Sequence, residues 1–323
     1  MSAQAADSGE ARSPTKYDRL IAAAKKAPAL NTIVVHPCDE TSLRGAADAA
    51  EAGLIKPVLV GPTDRIRGAA SKHNINISGF EIVDAPHSEA AAAKAVELVH
   101  AAKGGMLMKG SLHTDELMRS VTAKAAGLRT DRRISHVFVM DVPSYADTVF
   151  ITDAAINIFP DLDCKRDIVQ NAIDLFNQAG FGAPPRVAIL SAVETVTSKI
   201  PSTIEAAALC KMADRGQITG GLLDGPLAFD NAVDREAARI KGIKSEVAGR
   251  AQILVVPDLE AGNMLAKNLA YFAKADSAGI VLGARVPIVL TSRADSARAR
   301  MASCAVAVLY ADGRRRGAIN AAA

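Results

Sequence analysis

The chain has 323 residues, of which 49% are hydrophobic and 23% are charged, and its net charge is +3. This length and composition are typical of a globular protein with two α/β domains. The small and dispersed charge argues against a nucleic-acid-binding surface, which needs a concentrated basic face. Aromatic residues make up only 4% and tryptophan is absent, so we expect an aliphatic core. No apolar run approaches the roughly 20 residues that cross a bilayer.

Four cysteines lie far apart in the chain: Cys38, Cys164, Cys210 and Cys304. Because they form neither a C-x-x-C motif nor a metal-ligand spacing, we interpret them as reduced thiols of a cytoplasmic protein without a metal site. Residues 1–14 are polar and lack the apolar core of a signal peptide, so we expect a disordered tail. The cluster Arg314–Arg316 is interpreted as part of a solvated tail.

Short β-branched runs alternate with alanine-rich stretches in the first half of the chain. The runs predict strands over residues 32–36, 57–61, 81–84 and 105–109. The stretches that follow them predict helices over residues 39–52, 63–73, 88–102 and 114–126. Such alternation indicates β-α-β units and a parallel sheet.

A second alternating series follows a strand predicted over residues 137–140. Its strands are predicted over residues 148–152, 186–190, 220–223, 252–256 and 288–290, and its helices over residues 163–179, 203–214, 235–240 and 260–272. The pattern Ser202-x-x-Glu205 predicts a capping box at one helix start. The break between the two series falls near residues 141–145, which carry no low-complexity linker, so we expect two closely packed halves.

The segment Pro287–Ser296 is the most informative in the chain, because its apolar run stops in hydroxyl groups, a guanidinium and a carboxylate. In open α/β sheets, ligands bind at the carboxyl ends of strands. Arg293 is expected there beside free backbone N–H groups, an arrangement that suits phosphate or another oxyanion. The alternative is an ordinary strand end with a surface-paired arginine.

Three further segments next to predicted strands carry polar side chains: two follow a strand and open a helix, and Thr130–His136 precedes a strand. In Lys109–Thr114, Gly110 permits close approach of a ligand to the backbone and Lys109 supplies positive charge. In Thr130–His136, two guanidiniums beside hydroxyl groups suit an anion. In Pro257–Asn263, the sequence predicts that Asp258 caps a helix and that Asn263 reaches a ligand. For each turn, a purely structural role remains the alternative.

The sequence lacks several motifs that would assign a different chemistry. No G-x-G-x-x-G joins a strand to a helix, and the spacing of a Walker A loop is absent, so neither a dinucleotide fingerprint nor a P-loop is present. G-x-S-x-G and H-E-x-x-H are absent too. Asp153 and Asn157, at another strand end, are interpreted as structural because two isolated polar groups do not make a metal site.

Taken together and in order, these segments resemble the phosphate acetyltransferase and phosphate butyryltransferase family. The resemblance spans about residues 30 to 310. The segments that carry it are Leu107–Gly110, Arg133–Met140, Thr152–Asn157, Arg186–Ser191, Asp224–Asp230, Pro257–Asn263 and Thr291–Arg293.

The resemblance implies two three-layer α/β domains with a cleft between them, similar to the isocitrate/isopropylmalate dehydrogenase-like fold. It places residues 15–143 and 288–323 in the first domain and residues 144–287 in the second, with a helix over residues 296–309 returning to the first. It also implies a homodimer that converts acyl-CoA and inorganic phosphate into acyl phosphate and CoA, acetyl or butyryl being the acyl group. No cofactor or metal is implied.

The resemblance also implies which residues act. Those matching Ser292 and Arg293 contact substrate, and the arginine matching Arg133 binds in the cleft, with Lys109, Gly110, Ser135 and Asn263 as further substrate-binding candidates. Acetyl-type members carry a catalytic aspartate where this chain has Ala299. Asp295 lies one helical turn earlier, so we expect it to act as base or to orient Arg293. An acid that merely stabilises the helix dipole is the alternative.

Two other functions are compatible with the same sequence pattern. Similar domains fused to malic enzymes sense acyl-CoA, and the Ala299 departure would fit a regulatory module that has lost catalysis. A metal- and NAD-dependent decarboxylating dehydrogenase would share the architecture, but the sequence offers no convincing set of three acids for its metal. The sequence therefore favours a phosphate acyltransferase.

Overall fold

A computed structural model of the chain describes residues 15–182, 184–290 and 295–322. Within these residues, eleven strands form one sheet in the order β3-β2-β1-β4-β11-β10-β5-β6-β9-β7-β8. The strands are β1 (Leu30–Val35), β2 (Ile55–Gly61), β3 (Glu81–Asp84), β4 (Met106–Lys109), β5 (Ser135–Asp141), β6 (Val149–Thr152), β7 (Arg186–Leu190), β8 (Leu222–Leu227), β9 (Ile253–Val255), β10 (Asp276–Leu282) and β11 (Ile288–Val289).

The helices of the described residues cover both faces of this sheet. They are α1 (Lys16–Ala24), α2 (Glu40–Glu51), α3 (Thr63–Lys72), α4 (Ser88–His100), α5 (Thr114–Thr122), α6 (Leu162–Gln178), α7 (Pro201–Asp214), α8 (Phe229–Val233), α9 (Arg235–Ile240), α10 (Leu259–Tyr271) and α11 (Ala297–Ala322). No helix in the part of the chain described is both long and apolar enough to cross a membrane.

The alternation predicted from the sequence is confirmed within a few residues, except that β10, α1 and α8 were not predicted and that α11 extends beyond the predicted residue 309 to Ala322. Strand β10 was missed because Asp276, Ser277 and Gly279 interrupt its apolar pattern. These residues weaken the intrinsic strand signal, and the pairing with two neighbouring strands overrides it.

The prediction of a parallel sheet is wrong in its centre. The five strands from β3 to β11 and the four strands from β6 to β8 are parallel, but β10 is antiparallel to both β11 and β5, and β5 is antiparallel to β6. The connection from Asp141 to Val149 is too short for the crossover that a parallel pair requires, so β5 and β6 form a hairpin-like pair.

Aliphatic side chains fill the space between the sheet and its helices. On one face, Val137 and Val139 of β5 pack with α6 and α11 around Ile173 and Ala305. On the other face, β4 and β11 pack with α4 and α5, and the strands beyond β5 pack with α8, α9 and α10. The two faces of β5 therefore contact different helices, so alternate side chains of this strand lie in different surroundings.

The capping box predicted at Ser202 and Glu205 is wrong. Helix α7 starts two residues earlier than predicted, at Pro201, whose fixed φ angle suits the first helical position. The Ser202 hydroxyl lies 2.8 Å from that of Ser191, and Glu205 forms an ion pair with the buried Lys165. Because both side chains are bound to residues outside this helix, they do not form the capping box.

Arg314–Arg316 are exposed, as predicted for a solvated segment, but they continue α11 and do not form a separate tail. Arg315 and Arg316 form ion pairs with Asp312 at 2.8 and 3.0 Å. One turn of this helix lies close against the end of α6, since a Cβ atom on Gly313 would be 2.0 Å from the backbone oxygen of Gln178.

We predict that Gly313→Ala destabilises the protein by about 1–3 kcal/mol, because the added methyl group forces α11 away from α6. Gly317→Ala is the matched control on the same helix, where a Cβ meets nothing within 4 Å. That variant should gain up to about 1 kcal/mol from helix propensity. Urea unfolding of both variants measures the difference, and equal stabilities would contradict the close contact.

Candidate active site

A cavity with a volume of about 700 Å³ lies between α5 and α10. The ends of β4 and β11, one face of β5, the start of β10 and the start of α11 complete its wall. Polar and charged residues in the wall are Lys109, His113, Thr114, His136, Asn263, Lys267, Tyr271, Asp276, Ser277, Asp295 and Ser296. Apolar side chains from Leu112, Phe138, Leu290 and Ala299 line the remainder.

Lys109 reaches this cavity from the carboxyl end of β4. Its side chain is buried, and its ammonium lies 3.5 Å from the backbone oxygen of Gly110. The following turn is fixed to β1, because the N–H of Gly110 donates to Val35 and the N–H of Ser111 donates to His36. The sequence prediction that places Lys109 at a ligand-accessible strand end therefore agrees with its position in the cavity wall.

Gly110 has a structural reason to be glycine. A Cβ atom there would lie 2.3 Å from the backbone oxygen of Val35 and 2.6 Å from that of His36. The missing side chain thus permits the close approach of β4 to the end of β1, whereas the sequence analysis expected it to make room for a ligand.

Helix α10 contributes Asn263 and Lys267 to the cavity. Asp258 caps this helix, as predicted, by accepting a hydrogen bond of 2.9 Å from the N–H of Ala261. The cap fixes the first turn, and the amide of Asn263 donates to the backbone oxygen of Ala154 at 3.3 Å. Asn263 is therefore held at the wall by the loop that follows β6.

Asp153 builds that loop. Its buried carboxylate accepts hydrogen bonds from the N–H groups of Ala155, Ile156 and Asn157 and from the side-chain amide of Asn157. The amide of Asn157 also donates to Ile134, just before β5. Burial raises the pKa of the Asp153 carboxyl and these hydrogen bonds oppose the rise. Its observed role is structural, in agreement with the interpretation from sequence.

Asp295 lies just before α11 and lines the cavity together with Ala299. The N–H of Ala299 donates to the hydroxyl of Ser296 at 3.1 Å, which fixes the first turn of the helix. Asp295 and Ala299 therefore lie in the same cavity wall, although Asp295 precedes the helix.

Three predicted residues do not line this cavity: Gly110, Ser135 and Arg133. Ser135 faces α6, where its hydroxyl accepts a hydrogen bond of 2.9 Å from Asn171, because alternate residues of β5 point to opposite faces. Arg133 is exposed, and its N–H donates to Asp167 of α6. Its guanidinium is near enough to Cys164 to oppose the effect of burial on that thiol.

Ser292 and Arg293, the two residues predicted to contact substrate most directly, lie outside the described residues. On the two sides of them, Leu290 and Asp295 both line the cavity. The described residues on both sides of this segment therefore belong to the cavity wall.

His136 is the principal cavity residue that the sequence analysis missed. Its side chain is 1% exposed and packs edge-to-face on Phe138, with ring centroids 4.4 Å apart. Burial lowers the pKa of the imidazole to about 3, so the ring is neutral near pH 7. The available signal was the alternation of β5, which places His136 and Phe138 on one face and Ser135 on the other.

Charges of both signs border the cavity. Asp276 is held by the guanidinium of Arg298 at 2.9 Å, so an ion pair already offsets its charge. Lys109 and Lys267 place two ammonium groups in the same wall. Cations beside an apolar surface suit a ligand that combines an anionic group with an uncharged organic part.

The four cysteines are all free thiols. Burial raises the pKa of Cys164 to about 11 and the pKa values of Cys210 and Cys304 to about 12, and it also raises the pKa of Cys38. Because the thiolate is the reactive form, none of the four is activated as a nucleophile. Over residues 15–182, 184–290 and 295–322, no three His, Cys, Asp or Glu side chains form a group that could hold a metal ion.

Comparison with known proteins gives a consistent result. The family described as "Phosphate acetyl/butaryl transferase" matches residues 88–308. The chain is 74% identical over 309 residues to a phosphate acetyltransferase of Rhizobium meliloti, covering 95% of this chain and 97% of that protein. It is 44% identical over 273 residues to a phosphate butyryltransferase of Clostridium acetobutylicum, covering 84% and 90%, respectively.

Solved structures agree in fold. A branched-chain phosphotransacylase from Enterococcus faecalis V583 superposes with a TM-score of 0.76 at 27% identity, covering 87% of this chain and 99% of that one. A 4-hydroxythreonine-4-phosphate dehydrogenase from Klebsiella pneumoniae gives a TM-score of 0.53 at 12% identity, over 88% and 99% of the two chains. The second likeness concerns the fold alone.

We predict that the stability of the protein falls with pH below about 6.5 partly because of His136. Its folded pKa of about 3 lies below the unfolded value, so the unfolded chain binds the extra proton first. This linkage removes about 1.4 kcal/mol between pH 7.5 and 5.5. His136→Gln should lose correspondingly less over that interval in urea unfolding, whereas identical pH dependences would contradict the buried neutral ring.

Proposed function

This chain belongs to the phosphate acetyl/butyryl transferase family, and we propose that it transfers a short acyl group between a CoA thioester and inorganic phosphate. The reaction is acyl-CoA + phosphate = acyl phosphate + CoA. The observation that carries the proposal is 74% identity to a phosphate acetyltransferase over 95% of the chain. The acyl group proposed first is therefore acetyl, with butyryl as the second candidate because of the 44% identity to a butyryltransferase.

The cavity between α5 and α10 has the chemistry this reaction needs. Phosphate is an anion near pH 7 and must be held beside an uncharged thioester carbonyl. The ammonium group of Lys109 suits the anion, and Leu112, Phe138 and Leu290 provide an apolar wall for the acyl chain. Holding both reactants in one cavity converts their encounter into a nearly unimolecular step.

Arg293 is the residue proposed to bind phosphate, since a guanidinium matches two phosphate oxygens at once. It follows Leu290 by three positions in the sequence, and Leu290 lines the cavity. Ser292 is proposed to contact the substrate next to Arg293. Asn263 is proposed to bind the thioester portion of acyl-CoA. Arg133 and Ser135 have no role in the proposed site, because they do not line the cavity.

The reaction proposed here needs neither a covalent intermediate nor a cofactor. A phosphate oxygen attacks the thioester carbon, and the thiolate is a good leaving group, so strong acid assistance is unnecessary. The raised pKa values of all four cysteines support a direct attack rather than transfer through an enzyme thiol.

The proposed organisation is a cytoplasmic homodimer with two α/β domains, residues 15–143 with 288–323 and residues 144–287. The antiparallel strands between two parallel groups support such a division of the sheet, as does the distant likeness to a dehydrogenase fold. Exposed apolar side chains at and beside α10 support a subunit contact there: Ile158, Phe159, Met264, Tyr271 and Phe272. The regulatory alternative lacks such support, since the relatives reported above are named as transferases.

We predict that the purified protein releases CoA thiol from acetyl-CoA only when phosphate or arsenate is present. Thiol release with acetyl-, propionyl- and butyryl-CoA ranks the acyl groups, and each methylene buried against the apolar wall is worth about 0.8 kcal/mol, or about fourfold. The 74% identity to an acetyltransferase leads us to expect an acetyl-CoA preference, which requires that the site does not bury the added methylenes of the longer chains. Binding of acyl-CoA without thiol release for any of the three would contradict an enzyme and select the regulatory module.

We predict that Asp295→Asn lowers kcat at least about tenfold with an unchanged fold, because a carboxylate at the cavity wall either accepts the phosphate proton or orients Arg293. Asp64→Asn is the matched control: an exposed acid in the first turn of α3 that does not line the cavity. If both variants keep the turnover of the unmodified protein, Asp295 serves only the helix start and its catalytic assignment is wrong.

A further inference from the structure

His136 is a buried polar residue that takes no part in the reaction as proposed above. It lies with Phe138 on the face of β5 that lines the cavity. Leu290 and Lys109 line the same cavity from the ends of neighbouring strands. The edge-to-face contact with Phe138, at an angle of 74° between the rings, fixes the orientation of the imidazole. A preoriented heteroaromatic ring in an enzyme cavity is suited to contact a substrate.

One ring nitrogen of His136 has no hydrogen-bond partner in the described part of the chain, and this indicates which of the two nitrogens carries the proton. Nδ1 is buried and has no hydrogen-bond partner among the described residues. A neutral imidazole carries one N–H and one bare nitrogen. Leaving an N–H buried without an acceptor is the rarer of the two arrangements, so we assign the bare lone pair to Nδ1 and the proton to Nε2. The ring therefore offers one neutral donor at Nε2.

Glycine at position 279 makes room for that donor. A Cβ atom on Gly279 of β10 would lie 3.0 Å from Nε2 of His136 and 3.1 Å from the backbone oxygen of Leu290. The Nε2 edge thus lies over β10 beside the end of β11, directly before the segment proposed to bind phosphate. The antiparallel register, which pairs His136 with Val281 and Val281 with Ile288, brings these groups together.

We propose that Nε2–H of His136 donates a hydrogen bond to the thioester carbonyl oxygen of bound acyl-CoA and stabilises the negative charge that develops there. The proposal rests on the transferase function proposed above. A phosphate oxygen forms a bond to the carbonyl carbon, and the π electrons move to the carbonyl oxygen beside His136. As the carbonyl re-forms, the electron pair of the C–S bond leaves with sulfur, and the phosphate proton ends on the thiol. His136 keeps its own proton throughout.

A neutral donor fits the carbonyl better than the phosphate. The phosphate anion is charged before the reaction and is best matched by cations such as Lys109. The carbonyl oxygen acquires charge only in the transition state, so a hydrogen bond to it strengthens when the barrier is crossed and raises kcat rather than affinity. The cations Lys109 and Lys267 and the acids Asp276 and Asp295 share the cavity wall, but none of these charges has to titrate for the step to work.

The test compares His136→Leu with His136→Gln, whose side-chain amide retains an N–H donor near the position of Nε2. We expect His136→Leu to lower kcat by about 100- to 1,000-fold, with KM values for phosphate and acyl-CoA changed less than about threefold. His136→Gln should recover at least about tenfold of that loss. A kcat within about threefold of the unmodified protein for His136→Leu, or a loss confined to the KM for phosphate, would overturn the proposal.

Gly279→Ala provides a second variant in which the imidazole remains. Its Cβ would displace Nε2 or the Leu290 carbonyl by a few tenths of an ångström, so we expect a lower kcat with little change in KM. Gly68→Ala in α3, where a Cβ meets nothing within 4 Å, is the control. This pair keeps the proposal testable if His136→Leu fails to fold, and unchanged kcat for Gly279→Ala would count against it.

A direct measurement of the proton position separates this proposal from the proposed function. Nitrogen-15 NMR of the unmodified protein should show His136 protonated at Nε2 and bare at Nδ1, and the opposite tautomer would overturn the assignment. Phosphate-dependent thiol release by the same preparation tests the transferase function. If that release is absent, the function itself fails; if it is present while the variants above keep normal kcat, only the role of His136 fails.

Discussion

The antiparallel pairing of β10 with both β5 and β11 is the constraint on which the site depends. It joins two groups of parallel strands into one sheet and sets Val281 between His136 and Ile288. Strand β10 thus lies between the end of β11 and β5, whose His136 and Phe138 line the cavity. The same pairing brings the last apolar residue before the Ser292–Arg293 segment to the cavity wall. A sheet ladder thus positions groups that lie about 150 residues apart in sequence.

The cavity combines two physical environments. Its cations, Lys109 and Lys267, suit an anionic reactant, whereas the wall formed by Leu112, Phe138 and Leu290 suits an acyl chain. Burial keeps His136 neutral and keeps the cysteine thiols protonated, so the groups available for chemistry are hydrogen-bond donors and fixed charges rather than nucleophiles. Such a site favours a reaction in which substrates are held together and developing charge is stabilised.

The sequence predicted the elements that have strong local signals. Asp258 caps α10 as expected, and Lys109, Asn263 and Asp295 share one cavity although they come from three different turns. Strand β10 escaped prediction, because its small and polar residues form a strand only through pairing on both sides. Because β10 was not predicted, the sequence also did not show that His136 lies beside Gly279 and Val281 of this strand. Ser135, one residue away, was expected at the site but faces α6, since a strand turns successive side chains to opposite faces.

A crystal structure with CoA and phosphate bound tests the central claim, that both substrates meet in the cavity between α5 and α10. The account predicts the sulfur end of CoA between Asn263 and His136, with phosphate near Lys109 and the Arg293 guanidinium. If both compounds lie elsewhere, for example in the groove between α1 and the end of α6, and this cavity holds only water, the account is contradicted.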